Sequence, residues 1–300
     1  MHKPLNKIGT QESRFLDIGE IMENRYEKII ERLLNHAQND EHIFAIIKIG
    51  SRARKNAKAD EHADLDLIMA TDEMEDWLFG DKAEVMGNIK INFIESVLGD
   101  NMERKMLFEG NLDVDLMCVD PDELVLMTKE GISSWIMNRG YEVLYDRMGI
   151  KELLSNYVEI EENIPHKIMN EDEFKNVVND FAFHTVSSYK KILRGELWTA
   201  KMCIDAYLKE RLLQMIEAYE LSIDRNKDIW HNGRFLDDWA SSDIKEELKS
   251  CFGHYDSDDL LAALRNSLML FSRLASAVAK ENEYDFPAQA LEYADVLINA

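Results

Sequence analysis

The pattern of apolar and polar positions divides the chain into two halves of different character. In the first half, short apolar runs that continue or alternate predict β-strands. These strands are predicted over residues 43–49, 64–70, 89–95 and 112–119. An amphipathic helix is predicted before them, over residues 18–37, and helical pattern resumes at Pro121.

Beyond about residue 155 the pattern becomes helical throughout. Apolar residues recur with a period near 3.6 from Phe174 onward, and again over residues 198–221 and 258–280. We therefore predict an α+β protein with two domains. A mixed, twisted β-sheet flanked by helices occupies residues 1–155, and an α-helical bundle occupies residues 156–300.

Charge narrows the choice of partners. The chain has 35 basic and 58 acidic residues, a formal net charge of −23. Such a field repels nucleic-acid backbones and attracts small cationic molecules; the alternative is that the charge only keeps the protein in solution. The three cysteines lie far apart in the sequence, which predicts a protein without a disulfide framework or structural zinc. The sequence shows no apolar leader or spanning segment, so we expect a cytoplasmic protein without a membrane partner.

Two carboxylates interrupt the second predicted strand. Because alternate strand residues share a face, Asp64 and Asp66 are expected to project together while Leu65 and Leu67 enter the core. Parallel carboxylates this close repel each other unless a cation lies between them. Mg²⁺ prefers oxygen ligands and leaves positions open for phosphates, so we predict a metal here. The alternatives are a solvated strand edge and a structural calcium site.

Other residues could complete such a site. "LDVDL" carries a second pair, Asp113 and Asp115, and a neighbouring strand would bring one of them to the metal. The Gly50-Ser51 turn offers backbone N–H groups and a hydroxyl to phosphate oxygens, and a basic loop begins at Arg52. Each feature alone has a plainer interpretation as a turn or a solvated loop. Together they indicate nucleotidyl transfer.

This ordered set resembles the polymerase-β-like nucleotidyltransferase superfamily. Within that superfamily, four stretches are similar to the streptomycin (aminoglycoside 6-) adenylyltransferase family. They are "IKIGSRARKNAKADEHADLDLIM", "LFEGNLDVDL", "LWTAKMCIDAYLKERLLQMIEAY" and "DIWHNGRFLDDWA". The resemblance implies a catalytic domain at residues 1–155, and a helical domain at 156–300 that binds nucleotide and acceptor.

The resemblance also implies roles for individual residues. Gly50 and Ser51 would bind the triphosphate of ATP with help from Arg52, and Asp64 and Asp66 would hold Mg²⁺. A third carboxylate would either ligate metal or deprotonate the acceptor hydroxyl. Asp115 matches it through "VDL", although the spacing from Asn111 lets Asp113 compete.

The helical half holds further candidates. Lys201 sits where relatives place a basic residue on the phosphates; its alternative is a surface pair with Asp205. Trp230, His231 and Arg234 of "WHNGRF" could close the cleft, or the segment could be a connecting turn in which Gly233 supplies a positive φ. Asp180 and His184 could face an acceptor amine, although we expect a solvated helix face.

The resemblance therefore predicts Mg²⁺-dependent transfer of AMP from ATP to a hydroxyl of a cationic aminoglycoside such as streptomycin, with release of pyrophosphate. Other acceptors, namely a lincosamide, a protein side chain or an RNA end, stay open. So does a catalytically silent nucleotide- or cation-binding protein. We favour a monomer.

Overall fold

The structure of the protein is a computed structural model. It describes residues 25–54, 59–60, 62–97, 102–132, 137–160, 167–229 and 231–300. The chain forms two compact units, Met1–Ile164 and Pro165–Ala300. The functions predicted for the two halves stay predictions. Within the described residues, no helix has the length and apolar character needed to cross a membrane.

The first unit is built on a six-stranded mixed sheet. Its strands are β1 (Ile43–Ile49), β2 (Leu65–Thr71), β3 (Ile89–Ser96), β4 (Met102–Phe108), β5 (Leu112–Val119) and β6 (Glu142–Asp146). Their order across the sheet is β3-β4-β5-β2-β1-β6, and only the β2–β5 pair is parallel. The α+β fold class is confirmed.

Helices cover both faces of this sheet. They are α1 (residues 25–37), α2 (Met74–Leu78), α3 (Pro121–Lys129) and α4 (Ile150–Tyr157). The predicted helix start at residue 18 lies outside the described residues. Leu65, Leu67 and Met69 of β2 pack on the core face that α1 covers, while Ile68 and Ala70 pack on the face that α3 and α4 cover.

The second unit is helical. Its helices are α5 (Glu171–Leu193), α6 (Leu197–Met202), α7 (Leu208–Ile223), α8 (Leu236–Trp239), α9 (Ser242–Leu248), α10 (Ser257–Asn282) and α11 (Ala288–Ile298), with a π-helical segment, Cys203–Tyr207, between α6 and α7. Asn170 caps α5 in a reciprocal capping box with Glu173, and Asp256 caps α10. Phe181 and Phe271 stack 3.8 Å apart in the common core.

The apolar pattern of the sequence does not predict two of the strands, β4 and β6. In β4 the inward positions are Arg104, Met106 and Phe108. A buried arginine breaks the apolar alternation; it is held by the backbone oxygens of Trp77 and Gly80, at 2.9 and 2.7 Å. The other missed strand, β6, is a five-residue edge strand without a fully buried side chain.

Candidate active site

The parallel pairing of β2 and β5 creates a cluster of carboxylates. Asp66 and Asp115 are direct register partners on the two strands. Asp64 precedes β2 instead of lying within it, which corrects the predicted strand start at residue 64. One oxygen atom from each of Asp64, Asp66 and Asp115 lies within 4.8 Å of the others. The structure thus brings three half-buried carboxylates together.

Asp113 is not part of this cluster. It lies at an exposed position two residues earlier on β5, opposite Leu107 of β4. Its backbone N–H donates to the Tyr26 hydroxyl at 3.1 Å, which ties this end of β5 to α1. The geometry therefore favours Asp115 over Asp113 as the third carboxylate.

The shared negative charge changes proton affinity within the cluster. Burial, followed by the charges of Asp64, Asp115 and Glu103, raises the pKa of Asp66 to about 7. Burial likewise raises the pKa of Asp115, although the hydrogen bond from Lys105 opposes it. Carboxylates crowded in this way favour either protonation or a bound cation.

Lys105 is the cation that the protein itself supplies. It lies directly across from Asp115 in the β4–β5 pairing, and its Nζ is 2.5 Å from Asp115 Oδ2. The same Nζ is 3.3 Å from Glu103 and 3.5 Å from Glu95. Burial would lower the pKa of Lys105, but the hydrogen bond to Asp115 and the surrounding carboxylates raise it instead. Lys105 therefore stays charged.

The Gly50-Ser51 turn lies against this cluster. Gly50 follows β1, where Ile49 pairs with Asp66, and has φ 70°. A Cβ atom at Gly50 would lie 1.8 Å from Asp66 Oδ2, so only glycine fits. Ser51 Oγ is buried, and no described residue hydrogen-bonds to it. A buried hydroxyl without a partner is costly, and a ligand oxygen at the turn would satisfy it.

Arg52 is already engaged within its own unit. Its Nε and Nη2 donate to the backbone oxygen of Ala63 at 3.2 and 2.8 Å. Its guanidinium lies 3.9 Å from the centre of the Tyr26 ring. Arg52 thus fixes the chain immediately before Asp64. These contacts indicate a positioning residue, and its predicted help to the triphosphate stays a prediction.

Lys201, a candidate in the helical unit, forms an ion pair with a neighbouring residue of the same unit. Lys201 Nζ lies 2.6 Å from Asp205 Oδ2 and also donates to the Gly253 backbone oxygen, so the alternative surface pair is present. A phosphate role for Lys201 stays a prediction. In "WHNGRF", Gly233 has the expected positive φ of 69°. Trp230 and the side chain of His231 lie outside the described residues.

Asp180 and His184 do not form a solvated face, which corrects that expectation. The Asp180 side chain is only 18% exposed, and its Oδ1 lies 2.6 Å from His184 Nδ1. Tyr207 also donates its hydroxyl to both carboxylate oxygens of Asp180, at 3.0 and 2.8 Å. The helical periodicity that placed Asp180 and His184 one turn apart could not show that Tyr207 packs over them.

Comparison with known proteins places this site in context. The model of one family, streptomycin adenylyltransferase, matches residues 22–296. The chain belongs to the streptomycin adenylyltransferase family. As a member of that family it is a nucleotidyltransferase, with nucleotidyl transfer of the aminoglycoside adenylyltransferase type.

Individual relatives of this family member are distant. Aminoglycoside 6-adenylyltransferase of Bacillus subtilis (strain 168) is 24% identical over 280 residues, covering 87% of this chain and 92% of the relative. A crystal structure of an aminoglycoside 6-adenyltransferase from Bacillus subtilis superposes with a TM-score of 0.43 at 17% identity, covering 91% of this chain and 98% of the other. A crystal structure of a nucleotidyltransferase-like protein from Exiguobacterium sibiricum 255-15 superposes with a TM-score of 0.31 at 12% identity. The match covers 88% of this chain and 85% of the other.

Proposed function

We propose that the protein transfers AMP from ATP to a hydroxyl group of a cationic aminoglycoside such as streptomycin, in a Mg²⁺-dependent reaction that releases pyrophosphate. One observation carries this proposal in a chain of this family: Asp64, Asp66 and Asp115 converge beside the Gly50-Ser51 turn. Carboxylates beside a turn with a buried, unpartnered hydroxyl suit a reaction that consists of positioning and neutralising phosphate charge.

The carboxylate cluster fits a hard divalent cation. Its donors are oxygen atoms from Asp64, Asp66 and Asp115, which is the ligand chemistry that Mg²⁺ prefers. A Mg²⁺ ion held there would neutralise the clustered charges and polarise the phosphorus that is attacked. Asp64 and Asp66 are its proposed main ligands, and binding would keep Asp66 ionised at neutral pH.

The turn supplies the proposed phosphate contacts. Gly50 brings the backbone close because it has no Cβ, and the unsatisfied Ser51 hydroxyl can donate to a phosphate oxygen. Arg52 keeps the segment before Asp64 in place through Ala63. We assign Lys201 to the phosphates as well, a role in which its ammonium group exchanges Asp205 for a phosphate oxygen.

In the transfer step one P–O bond forms, another P–O bond breaks and one proton is transferred. The acceptor oxygen forms a bond to the α-phosphorus of ATP, and the bond from that phosphorus to the bridging oxygen of the β-phosphate breaks. Pyrophosphate takes the electron pair. We assign the proton of the acceptor hydroxyl to Asp115, whose position is fixed by Lys105.

The charge of the protein supports a cationic acceptor. At a formal net charge of −23, long-range attraction favours guanidinium and ammonium compounds and opposes an RNA end. The name of the matched family points to streptomycin as the first compound to test.

The test is an adenylylation assay. The protein is incubated with ATP, Mg²⁺ and each member of an aminoglycoside panel, and pyrophosphate release and the mass of the product are followed. We expect a product that carries one AMP, abolished by EDTA and by D66N. If no aminoglycoside were adenylylated, the proposed acceptor class would be wrong. If lincosamide, protein and RNA acceptors also gave no pyrophosphate, the proposed transfer reaction would be wrong. A silent binder would retain ATP binding without any turnover.

A further inference from the structure

The helical unit contains a cavity to whose lining residues the proposed reaction assigns no role. Its volume is about 660 Å³, within the range of pockets that enclose drug-sized ligands. Most of its wall is apolar and comes from α7, from α8 and α9, and from the segment after α9. The apolar residues are Leu212, Leu213, Ile216, Leu236, Leu248 and Phe252.

Lys209 places a cation at the wall of this cavity. Its Nζ donates to the Ile204 backbone oxygen and to Ser267 Oγ, each at 2.9 Å, and lies 5.0 Å from the centre of the Phe252 ring. An ammonium group has three N–H donors, so these two bonds leave one for a ligand. Among the described residues, no carboxylate forms an ion pair with Lys209.

The rest of the polar lining does not cancel this charge. Lys249 pairs with Glu246 at 2.7 Å, which neutralises both. Lys245 donates to the backbone oxygen of Asp237. Three lysines against two acidic residues leave the lining with a formal charge of +1, in a chain whose total is −23. The cavity is thus locally positive as well as apolar.

We propose that this cavity binds a small amphipathic monoanion, with its apolar body against the leucines and Phe252 and its carboxylate on Lys209. A half-buried cation without a carboxylate partner favours an anion, and the apolar wall favours a hydrocarbon or aromatic body. A polycationic aminoglycoside would meet repulsion from Lys209. The inference therefore goes beyond the proposed adenylyl transfer and does not depend on it.

The first experiment is calorimetry on the full chain with a matched pair of probes. Ibuprofen has an apolar body and one carboxylate, and its primary amide has the same body without the charge. We expect the acid to bind wild-type protein about tenfold or more tightly than the amide, since hydrogen bonds to charged groups contribute about 1.5–3 kcal/mol. The K209M variant should lose that preference while K209R keeps it. K280M, which changes an exposed lysine of α10 outside the cavity lining, is the matched control and should leave that preference unchanged.

A second measurement needs no substitution. Burial lowers the pKa of Lys209 to about 8. The protonated amine binds the carboxylate, so ibuprofen affinity should be full at pH 7 and fall about tenfold by pH 9, whereas amide affinity should not change. Among the residues that the structure describes, the other charged or titratable groups near Lys209 or in the lining are Lys201, Asp205, Asp237, Lys245, Glu246, Lys249 and Cys251. Burial raises the pKa of the Cys251 thiol, so this thiol loses its proton less readily than an exposed one.

Three results would overturn the proposal: no binding of ibuprofen, equal affinity for acid and amide in wild-type protein, or displacement of ibuprofen by MgATP. The last result would make the cavity part of the nucleotide site. Thermal unfolding of K209M identifies a misfolded variant, in which case K209R and the wild-type pH series decide. Loss of adenylyl transfer in the assay above would leave this inference unaffected.

Discussion

Lys105 Nζ lies 2.5 Å from Asp115 Oδ2, across a pair of antiparallel strands. This contact gives Asp115 a fixed orientation and a counter-charge, in the way that outer residues orient the ligands of metal sites. Lys105 is not part of the carboxylate cluster itself. Its direct contact with the cluster is the one with Asp115, its charge also opposes the rise in the pKa of Asp66, and we regard it as a positioning residue.

Removing the Lys105 charge should therefore reduce turnover more than ATP binding. For K105M we expect kcat to fall by about 10- to 100-fold, as for the loss of outer-shell partners elsewhere, with little change in the KM for ATP. K105R should restore part of the rate because it keeps the charge. Steady-state kinetics of both variants check this, and an unchanged kcat in K105M would show that the ion pair has no part in turnover.

A substitution at Gly50 tests whether the close approach of the turn to the carboxylate cluster is needed for activity. In G50A the new Cβ would collide with Asp66 Oδ2, at 1.8 Å, and displace it. We expect activity to fall by about 100-fold or more, since misplacing a catalytic group by about 1 Å costs that much. G149A is the matched control, because Gly149 also has a positive φ, 82°, but its Cβ would meet no atom within 4 Å. If both variants kept wild-type rates, Gly50 would not be shaping the site.

The raised pKa of Asp66 predicts a pH-dependent cost to stability. A carboxyl group whose pKa rises to about 7 on folding, from an ordinary value of 3.8, holds its proton more tightly in the folded state. Its contribution therefore falls as the pH rises from about 4 to 7, and the cost is fully present above pH 7. We expect metal-free D66N to unfold at a higher temperature than wild type at pH 8, and the difference to vanish near pH 4. Thermal unfolding in EDTA at both pH values measures this. A D66N protein less stable than wild type at pH 8 would contradict the raised pKa.

Arg52 and Tyr26 should stabilise the segment before Asp64. R52A removes the two hydrogen bonds to Ala63 and the contact with the Tyr26 ring. We expect the free energy of unfolding to fall by about 1–3 kcal/mol, and kcat to fall because Asp64 loses its support. Y26F keeps the ring and removes only the hydroxyl that binds the Asp113 N–H, so it should cost less. Chemical denaturation of both variants checks this. A large rise in the KM for ATP in R52A without loss of stability would instead support a phosphate contact.

Much of this site could be predicted from the sequence because its parts are local. A Gly-Ser turn, an Asp-x-Asp pair and a "VDL" strand are short patterns that can be recognised in the sequence, although Asp64 itself precedes β2. The choice of Asp115 over Asp113 needed the β2–β5 register, which is a long-range property that no local pattern carries. Resemblance favoured the same residue, and the structure gives the physical reason.

Lys105 could not be found from the sequence for a related reason. Its strand was hidden because the inward position next to it is Arg104, whose buried guanidinium donates to the backbone oxygens of Trp77 and Gly80. A polar residue at a core position breaks the alternation on which strand prediction depends. Arg52 shows the same limit. A basic residue after a phosphate-type turn suggests a phosphate contact, which stays a prediction, but its contacts with Ala63 and Tyr26 follow from the tertiary fold.

The central claim is that Asp64, Asp66 and Asp115 act together while Asp113 does not. The direct measurement is the rate of Mg²⁺-dependent AMP transfer to streptomycin by D115N and D113N, two isosteric changes on the same strand. We predict that D115N lowers kcat by at least about 1,000-fold, as expected for loss of a catalytic base or metal ligand, and that D113N stays within about threefold of wild type. An active D115N protein beside an inactive D113N protein would contradict the account.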